Sequence, residues 1–330
     1  MKEFHLCGLG NALVDIFVEL SHQEFGSLGF ERGTMRLVES DEQRGLLERF
    51  KGREPRLVSG GSVANSVIAL SQLGGRAAFL GCVGDDRYGL FYETEFEELG
   101  IEFANPPIVG ETTGTCLCLI TPDAERTMRT CLAVSSRLSA RHIEEQRIKN
   151  AEWLFIEGYV FANPENGQGA IREAVRLAKK HGVKVAVTCS EAFVPQAFGG
   201  PFFEALGQTD LLFCNSSEAR VVAGADTAEA AFARLKEVVP SCVVTNGSHG
   251  AYVCHGGVEA HVPAFPCEPK DVTGAGDMFA GAFLYGITHG VPADRAARAA
   301  CFLAMKVITQ FGARLHHGTR QFWEEGLAAR

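Results

Sequence analysis

The 330-residue sequence predicts an α/β protein in which helices cover both faces of a parallel sheet and a second, small sheet covers the ligand site. Two observations predict this architecture. Short apolar runs alternate with amphipathic stretches through most of the chain, and two segments break the alternation with paired β-rich runs. The length suits one large domain that carries an appendage.

The apolar runs predict the strands of the main sheet. Each run is short and shows no polar alternation, which is typical of strands that are buried on both faces. The six predicted strands span residues 4–9, 77–82, 153–158, 183–189, 211–215 and 242–245.

Between these strands, apolar residues recur at spacings of three and four, which predicts amphipathic helices. Helices that alternate with buried strands indicate a parallel sheet, and such sheets bind ligands at the carboxyl ends of their strands. The predicted helices span residues 62–73, 88–99, 167–181, 228–238, 277–289 and 294–311.

Two segments depart from this alternation and predict antiparallel strands that are joined by turns. We interpret them as a small sheet that acts as a lid. Its predicted strand pairs are residues 12–20 with residues 34–38, and residues 112–121 with residues 127–133, with Pro122-Asp123 as one turn.

The small sheet divides the chain into two parts. A segment over residues 40–50 is a candidate cap for an edge of the lid, which otherwise is free to pair with a second subunit. We therefore expect a monomer or a homodimer. The predicted core spans residues 1–10, 55–107 and 134–330, and the predicted lid spans residues 11–54 and 108–133.

Composition excludes several classes of protein. The formal net charge is −9 and no run of Lys or Arg exceeds two residues, which argues against binding to nucleic acid or to an anionic membrane surface. No run of 18 apolar residues occurs, and the N-terminal region does not fit a signal peptide. Eleven cysteines without a Cys-x-x-Cys pair are typical of reduced thiols. We expect a cytoplasmic protein.

The run Asp271-Val272-Thr273-Gly274-Ala275-Gly276-Asp277 carries the most specific chemistry. Small residues at the start of a helix let an anion approach free backbone N–H groups, where the helix dipole favours negative charge. Asp277 stands where it can accept the proton of an attacking hydroxyl. The pattern indicates phosphoryl transfer, although a glycine-rich turn with an N-capping Asp is an alternative.

Two further features suit a ligand with several hydroxyl groups. Asp15 is a carboxylate in an apolar run and can bind vicinal hydroxyls, although it also fits an exposed strand position. Gly60-Gly61-Ser62 leads into a helix that carries Asn65 one turn in, which offers a donor and an acceptor. An ordinary N-cap is the alternative for this second feature.

Two features at strand ends suit a nucleotide. Asn215 and Glu218 follow a buried strand, and Glu218 can orient water around Mg²⁺ that is bound to phosphates. The run Thr245-Asn246-Gly247-Ser248-His249-Gly250 supplies a hydroxyl and a glycine-rich loop. A capped helix start and a hairpin turn, respectively, are the alternatives. By contrast, Gly8-x-Gly10 is no dinucleotide motif because Leu13 replaces its third small residue.

These motifs, in this chain order, resemble the ribokinase or PfkB-type family of sugar and nucleoside kinases. The resemblance covers essentially the whole chain and depends on Gly60-Gly61 with Asn65, on Asn215-x-x-Glu218, on Thr245-x-Gly247 and on Asp271 to Asp277. Within the family, the chain is similar to bacterial adenosine kinase-like members in residues 10–15, 125–128 and 157–159.

The resemblance implies a Rossmann-like αβα sandwich with a β-sheet lid, and transfer of the γ-phosphate of ATP to a hydroxymethyl oxygen. Adenosine is the first candidate acceptor, which would make the protein a purine-salvage enzyme. Val272 stands where the family commonly has Thr, which puts a dependence on the monovalent cation K⁺ in doubt.

The implied roles fall into four groups. Asp277 matches the base, and Gly274, Ala275 and Gly276 match the anion hole. The substrate contacts are Asn11, Asp15, Gly61, Asn65 and Phe161; the nucleotide contacts are Asn215, Thr245, Gly247 and Gly250; Glu218 is the magnesium residue and acts through water.

Two alternatives to an adenosine kinase stay open at this point. A kinase of a free sugar or sugar acid, of the ribose, fructose or 2-keto-3-deoxygluconate type, would place an Arg near the substrate, for which Arg129 is a candidate. A nucleoside pocket needs apolar walls, for which Met35, Phe161, Cys116 and Cys118 are candidates. A non-catalytic ligand-binding relative is the remaining alternative.

Overall fold

A computed structural model describes residues 2–123 and 125–329. The predicted alternation is confirmed, since each of the six predicted strands and six predicted helices overlaps an element of the structure. The strands are β1 (Phe4–Leu9), β2 (Leu13–Glu19), β3 (Met35–Leu37), β4 (Arg56–Gly60), β5 (Ala77–Leu80), β6 (Ile101–Phe103), β7 (Gly114–Ile120), β8 (Arg126–Cys131), β9 (Ala151–Glu157), β10 (Lys184–Thr188), β11 (Leu211–Asn215), β12 (Cys242–Thr245), β13 (Ala251–His255) and β14 (Val258–Val262).

Most of the helices flank the larger of two sheets. Short helices that the sequence did not predict fill the connections, because brief apolar stretches carry little periodic signal. The helices are α1 (His22–Gly26), α2 (Ser40–Arg49), α3 (Ser62–Gln72), α4 (Arg87–Glu98), α5 (Glu145–Lys149), α6 (Gly167–Lys180), α7 (Phe193–Ala197), α8 (Gly199–Leu206), α9 (Ser216–Ala223), α10 (Ala228–Val238), α11 (Ala275–Thr288), α12 (Ala293–Ile308) and α13 (Thr319–Ala328).

The large sheet has nine strands in the order β14-β13-β12-β11-β10-β9-β1-β5-β6. Pairing is parallel from β12 to β6, and β13 and β14 add an antiparallel edge. Neighbouring residues of β1 point into different cores, since Leu6 packs in one hydrophobic cluster and Cys7 in the other. This burial on both faces explains why the strands are continuous apolar runs. No helix among the described residues is long and apolar enough to cross a membrane.

The small sheet has five strands in the order β3-β8-β7-β2-β4. The antiparallel pairing predicted for residues 112–121 with residues 127–133 is confirmed by β7 and β8. The pairing predicted for residues 12–20 with residues 34–38 is wrong, because β2 pairs in parallel with β7 and β3 pairs in parallel with β8. Strand β4 lies beyond the predicted lid boundary at residue 54 and nevertheless pairs with β2. Local sequence patterns cannot show which distant strands pair, because both directions give the same alternation.

Helix α2 covers one face of the small sheet. Gln43 is buried, and its Nε2 donates to the backbone oxygen of Thr115 at 3.2 Å and to that of Arg129 at 3.2 Å. The candidate cap therefore lies over a face of the sheet and not along its edge. Strand β3 forms an edge, where Met35 is 49% exposed and Leu37 is 64% exposed.

Candidate active site

Helix α11 begins at a tight turn around Gly274. Gly274 has φ 77° and ψ 2°, a left-handed conformation that glycine adopts without strain. A Cβ at this position would lie 2.5 Å from the Cα of Ala313, so the loop after α12 packs directly on the turn. The first backbone N–H groups of a helix have no partner within the helix, and this turn presents them to the adjacent cavity.

Asp277 lies on the first turn of α11 and accepts hydrogen bonds from α3. Ser62 Oγ donates to Asp277 Oδ1 at 2.7 Å, and Asn65 Nδ2 donates to Asp277 Oδ2 at 3.1 Å. Burial raises the pKa of Asp277 to about 6, while both hydrogen bonds lower it. The Asp277 carboxylate is therefore ionised at neutral pH, and its pKa is close enough to neutral pH for it to accept a proton from a hydroxyl group.

A cavity of about 200 Å³ opens beside Asp277, and we call it the Asp277 cavity. Asn215 and Glu218 line it from the end of β11. They also form a capping box, since the backbone N–H of Asn215 donates to Glu218 Oε2 at 2.9 Å and the N–H of Glu218 donates to Asn215 Oδ1 at 3.0 Å. Burial raises the pKa of Glu218 to about 7. The capped helix start is confirmed, and it presents a carboxylate to the same cavity as Asp277.

A larger cavity of about 550 Å³, the Thr245 cavity, adjoins the first one and shares Thr245, Ala275 and Gly276 with it. Gly247 and Gly250 line it, and a Cβ on Gly250 would lie 1.9 Å from the backbone oxygen of Val262. Its remaining walls are mainly apolar: Ala264, Phe265, Pro266, Val272, Phe279, Cys301, Ala304, Met305 and Ile308.

A third cavity, of about 340 Å³, lies between the small sheet, helices α3 and α4 and the loop over residues 312–316, and we call it the Asp15 cavity. Asp15 and Asn65 both line it. Burial raises the pKa of Asp15 to about 6, against the opposing charges of Arg314 and Arg126. The predicted pair of hydroxyl-binding side chains thus shares one cavity.

Arg314 is a residue of this cavity that the sequence did not single out. It is 7% exposed; its Nη1 lies 3.2 Å from Glu95 Oε1, and its Nε donates to Asn65 Oδ1 at 3.4 Å. Its Nη2 is buried and has no hydrogen-bond partner among the described residues. Arg314 therefore orients the Asn65 amide so that Nδ2 points at Asp277. Because it lies in an irregular loop, no local pattern marked it.

Gly61 and Asn11 are brought together at the start of α3. Gly61 has φ 111°, and a Cβ there would lie 2.1 Å from the backbone oxygen of Asn11. Asn11 Nδ2 donates to Glu157 Oε1 at 2.7 Å, and Glu157 Oε2 accepts from the backbone N–H of Val63 at 3.2 Å. Burial raises the pKa of Glu157 to about 7. Glu157 thus fixes the start of α3, a role that its place at a strand end did not reveal.

An ion pair connects the small sheet to the signature run. Arg126 Nη1 lies 2.7 Å from Asp271 Oδ2, and their side chains are 9% and 7% exposed. Asp271 Oδ2 also accepts from the backbone N–H of Gly312 at 2.8 Å. One carboxylate thus links strand β8, the signature run and the loop that carries Arg314.

Two candidate contacts lie away from the site. Phe161 is 1% exposed and packs on Phe202 with ring centroids 5.4 Å apart, so the suggested substrate contact is corrected to a core position. Arg129 is opposite Leu117 in the sheet and packs over Phe30 at 4.2 Å, whereas Asp15 is opposite Cys116. The period of two along β7 places Arg129 on the face under α2, away from Asp15. Arg56 and Arg314 are the arginines that line the Asp15 cavity.

Known proteins share this architecture. The sequence pattern described as pfkB family carbohydrate kinase matches residues 34–318. A ribokinase of Haemophilus influenzae is 26% identical over 283 residues, covering 83% of this chain and 89% of that protein. The solved structure of a probable sugar kinase from Rhizobium etli CFN 42 matches with a TM-score of 0.88 and 29% identity, covering 99% of this chain and 100% of the other. That of an adenosine kinase from Sinorhizobium meliloti matches with a TM-score of 0.87 and 29% identity, covering 98% and 99%.

Proposed function

The chain belongs to the pfkB family of carbohydrate kinases, and we propose that it transfers the γ-phosphate of ATP to the hydroxymethyl oxygen of a nucleoside, with adenosine as the first candidate and AMP as the product. The family assignment makes the protein a phosphotransferase that acts on a hydroxyl group. The ribokinase-like α/β fold implied by the motifs is confirmed by the structural matches.

The observation that carries the proposal is the position of Asp277 between two cavities. The Thr245 cavity is large enough for a nucleotide, and the Asp277 cavity joins it at the start of α11. Asn65 hydrogen-bonds Asp277 and also lines the Asp15 cavity. Phosphoryl transfer needs the attacking oxygen in line with the phosphorus and the leaving oxygen, and it needs a base beside the attacking oxygen. A donor cavity and an acceptor cavity that approach each other at Asp277 support that arrangement.

In the proposed mechanism, Asp277 accepts the proton of the acceptor hydroxyl as that oxygen attacks the phosphorus. Backbone N–H groups of Gly274, Ala275 and Gly276 stabilise the charge on the transferred group, and the N–H of Ala275 exchanges its 3.3 Å hydrogen bond to the backbone oxygen of Val272 for one to that group. Glu218 and Asn215 offer a carboxylate and an amide where Mg²⁺ bound to ATP would supply charge neutralisation. Closure of the small sheet would exclude water and limit hydrolysis of ATP.

The Asp15 cavity favours a neutral polar acceptor. Asp15 and Glu95 supply two negative charges to its lining, and Arg56 and Arg314 supply two positive charges. This balance suits a nucleoside better than a sugar acid, because a carboxylate would need an excess of positive charge. Apolar side chains next to Asp15, namely Phe17, Leu57, Val58 and Leu99, offer a surface for a base.

A free sugar is the second candidate acceptor. It is supported by the likeness to a ribokinase and to a probable sugar kinase. For either acceptor, we propose a cytoplasmic enzyme that acts as a monomer or a homodimer.

The test measures ADP release from Mg-ATP with adenosine, guanosine, cytidine, ribose, fructose and 2-keto-3-deoxygluconate, with Asp277→Asn as the blank. We expect turnover with adenosine that the variant lacks. Turnover with ribose or fructose alone would replace the nucleoside by a sugar. Turnover with the sugar acid alone would contradict the charge argument for the Asp15 cavity.

A further inference from the structure

One face of the small sheet brings together a carboxylate and two thiols that the proposed reaction does not use as a group. Asp15 on β2 is in register with Cys116 on β7, and Cys118 follows on the same face. A carboxylate oxygen of Asp15 and both Sγ atoms all lie within 4.8 Å of one another. In the part of the chain that the structure describes, this is the one group of three such ligands found so close together.

The spacing of the sulfurs fits a tetrahedral metal ion. The Sγ atoms of Cys116 and Cys118 lie 3.6 Å apart. A tetrahedral Zn²⁺ with Zn–S bonds of about 2.3 Å holds two sulfurs about 3.8 Å apart, and it also accepts a carboxylate oxygen at about 2.0–2.2 Å. The side chains therefore need only small movements to form three metal bonds.

The surroundings hold these ligands in place. Thr130 Oγ1 donates to Cys116 Sγ at 3.2 Å and so supplies a partner outside the ligand set. Cys116 and Cys118 are 6% and 3% exposed and pack with Phe17 in a small apolar cluster. Asp15 lines the Asp15 cavity and leaves an entry path, and the fourth metal position would be open to a water or an acceptor group.

We propose that Asp15, Cys116 and Cys118 bind a thiophilic divalent cation such as Zn²⁺ or Cd²⁺, and that the bound ion blocks the acceptor site. The blocking part rests on the proposed function, since it requires Asp15 to contact the acceptor. Mg²⁺ does not compete, because it prefers oxygen ligands and thiolates select softer ions. The site would therefore leave the Mg²⁺ that accompanies ATP unaffected.

The binding test is a titration of reduced, metal-free protein with Co²⁺ in the absence of ATP. We expect one equivalent to give a thiolate-to-cobalt absorption band that Zn²⁺ abolishes. Cys116→Ser and Cys118→Ser should each weaken binding at least tenfold, whereas the matched variant Cys254→Ser, on β13 of the large sheet, should bind as the wild type does. Absence of the band, or its persistence in Cys116→Ser, would overturn the proposal.

A second measurement does not depend on variants that fold. Alkylation of the wild-type thiols, located by peptide mass spectrometry, should be slowed by Zn²⁺ at Cys116 and Cys118 and not at Cys254. Equal protection of all three cysteines, or of none, would contradict the site.

Kinase assays distinguish a failure of the metal site from a failure of the proposed function. Buffered Zn²⁺ should raise the acceptor KM without changing the ATP KM, and Cys118→Ser should abolish that effect. Cobalt binding without any change in the acceptor KM would support the metal site and overturn the blocking role. If the wild-type protein phosphorylates a nucleoside but does not bind cobalt, the metal site is overturned and the proposed function is unaffected.

Discussion

The two sides of Asp277 are built in different ways. On the nucleotide side, the anion turn comes from consecutive residues, Gly274 to Asp277, and its geometry follows from one glycine and one helix start. On the acceptor side, Asp15, Asn65 and Arg314 come from β2, α3 and a loop near the C-terminus. The residues proposed for the chemistry are therefore neighbours in the sequence, whereas those proposed to bind the acceptor come together through long-range packing.

The largest fall in kcat is expected at Asp277, where the nucleotide side and the acceptor side meet. Asp277→Asn should lower kcat by about three orders of magnitude or more, because it removes the base while it keeps the shape of the side chain. Steady-state kinetics with the best acceptor measure this loss, and a melting curve checks the fold. A variant that keeps a tenth of the wild-type kcat would exclude Asp277 as the base.

Arg314→Lys tests the acceptor side alone. Lysine keeps the positive charge beside Glu95 but loses the Nε that bonds Asn65 and the unpartnered Nη2. A hydrogen bond from a charged group contributes about 1.5–3 kcal/mol, so kcat/KM for the acceptor should fall roughly ten- to a hundredfold with an unchanged ATP KM.

The control is Arg137→Lys, since Arg137 is half exposed and forms a surface ion pair. Arg137→Lys should leave kcat/KM for the acceptor and the KM for ATP as they are in the wild type. An equal rise in the KM for ATP and in the KM for the acceptor in Arg314→Lys would contradict the assignment of Arg314 to the acceptor side.

The pH dependence of kcat tests the hydrogen bond between Asn65, on the acceptor side, and Asp277. Burial raises the pKa of Asp277 to about 6, so the base is ionised above that pH and protonated below it. At saturating substrates, kcat should rise through pH 6 and fall about tenfold for each unit below it. Asn65→Ala removes a donor to the carboxylate, which favours the protonated form, and should shift the acidic limb upward. If the acidic limb lies at the same pH in Asn65→Ala as in the wild type, the hydrogen bond from Asn65 does not lower the pKa of the group that titrates.

A smaller effect, on the melting temperature, is expected at Gly274 on the nucleotide side. Gly274→Ala places a methyl group 2.5 Å from Ala313 at a positive φ, which costs about 1–3 kcal/mol and should lower Tm by several degrees. Gly276→Ala meets no atom within 4 Å and is the matched control, with an unchanged Tm. Equal melting temperatures for the two variants would contradict the close packing of the loop on the turn.

The sequence predicted the large sheet well because burial on both faces leaves a clear apolar signature. It predicted the small sheet less completely. The apolar alternation of β2 and β7 was visible, but their parallel pairing and the membership of β4 depend on contacts between distant segments. The same limit misplaced Arg129, since its face of the sheet depends on a register that only pairing defines.

Membership of the pfkB family and the small-residue turn before α11 can be recognised from the amino-acid sequence, because both depend on neighbouring residues whose spacing fixes the backbone. The lining of the Asp15 cavity, by contrast, depends on tertiary structure. Arg314 and Glu95 are 219 positions apart in the chain, yet they form one partly buried pair that reaches Asn65. Packing of the loop that carries Arg314 against helices α3 and α4 creates that proximity, and no local pattern in the chain contains it.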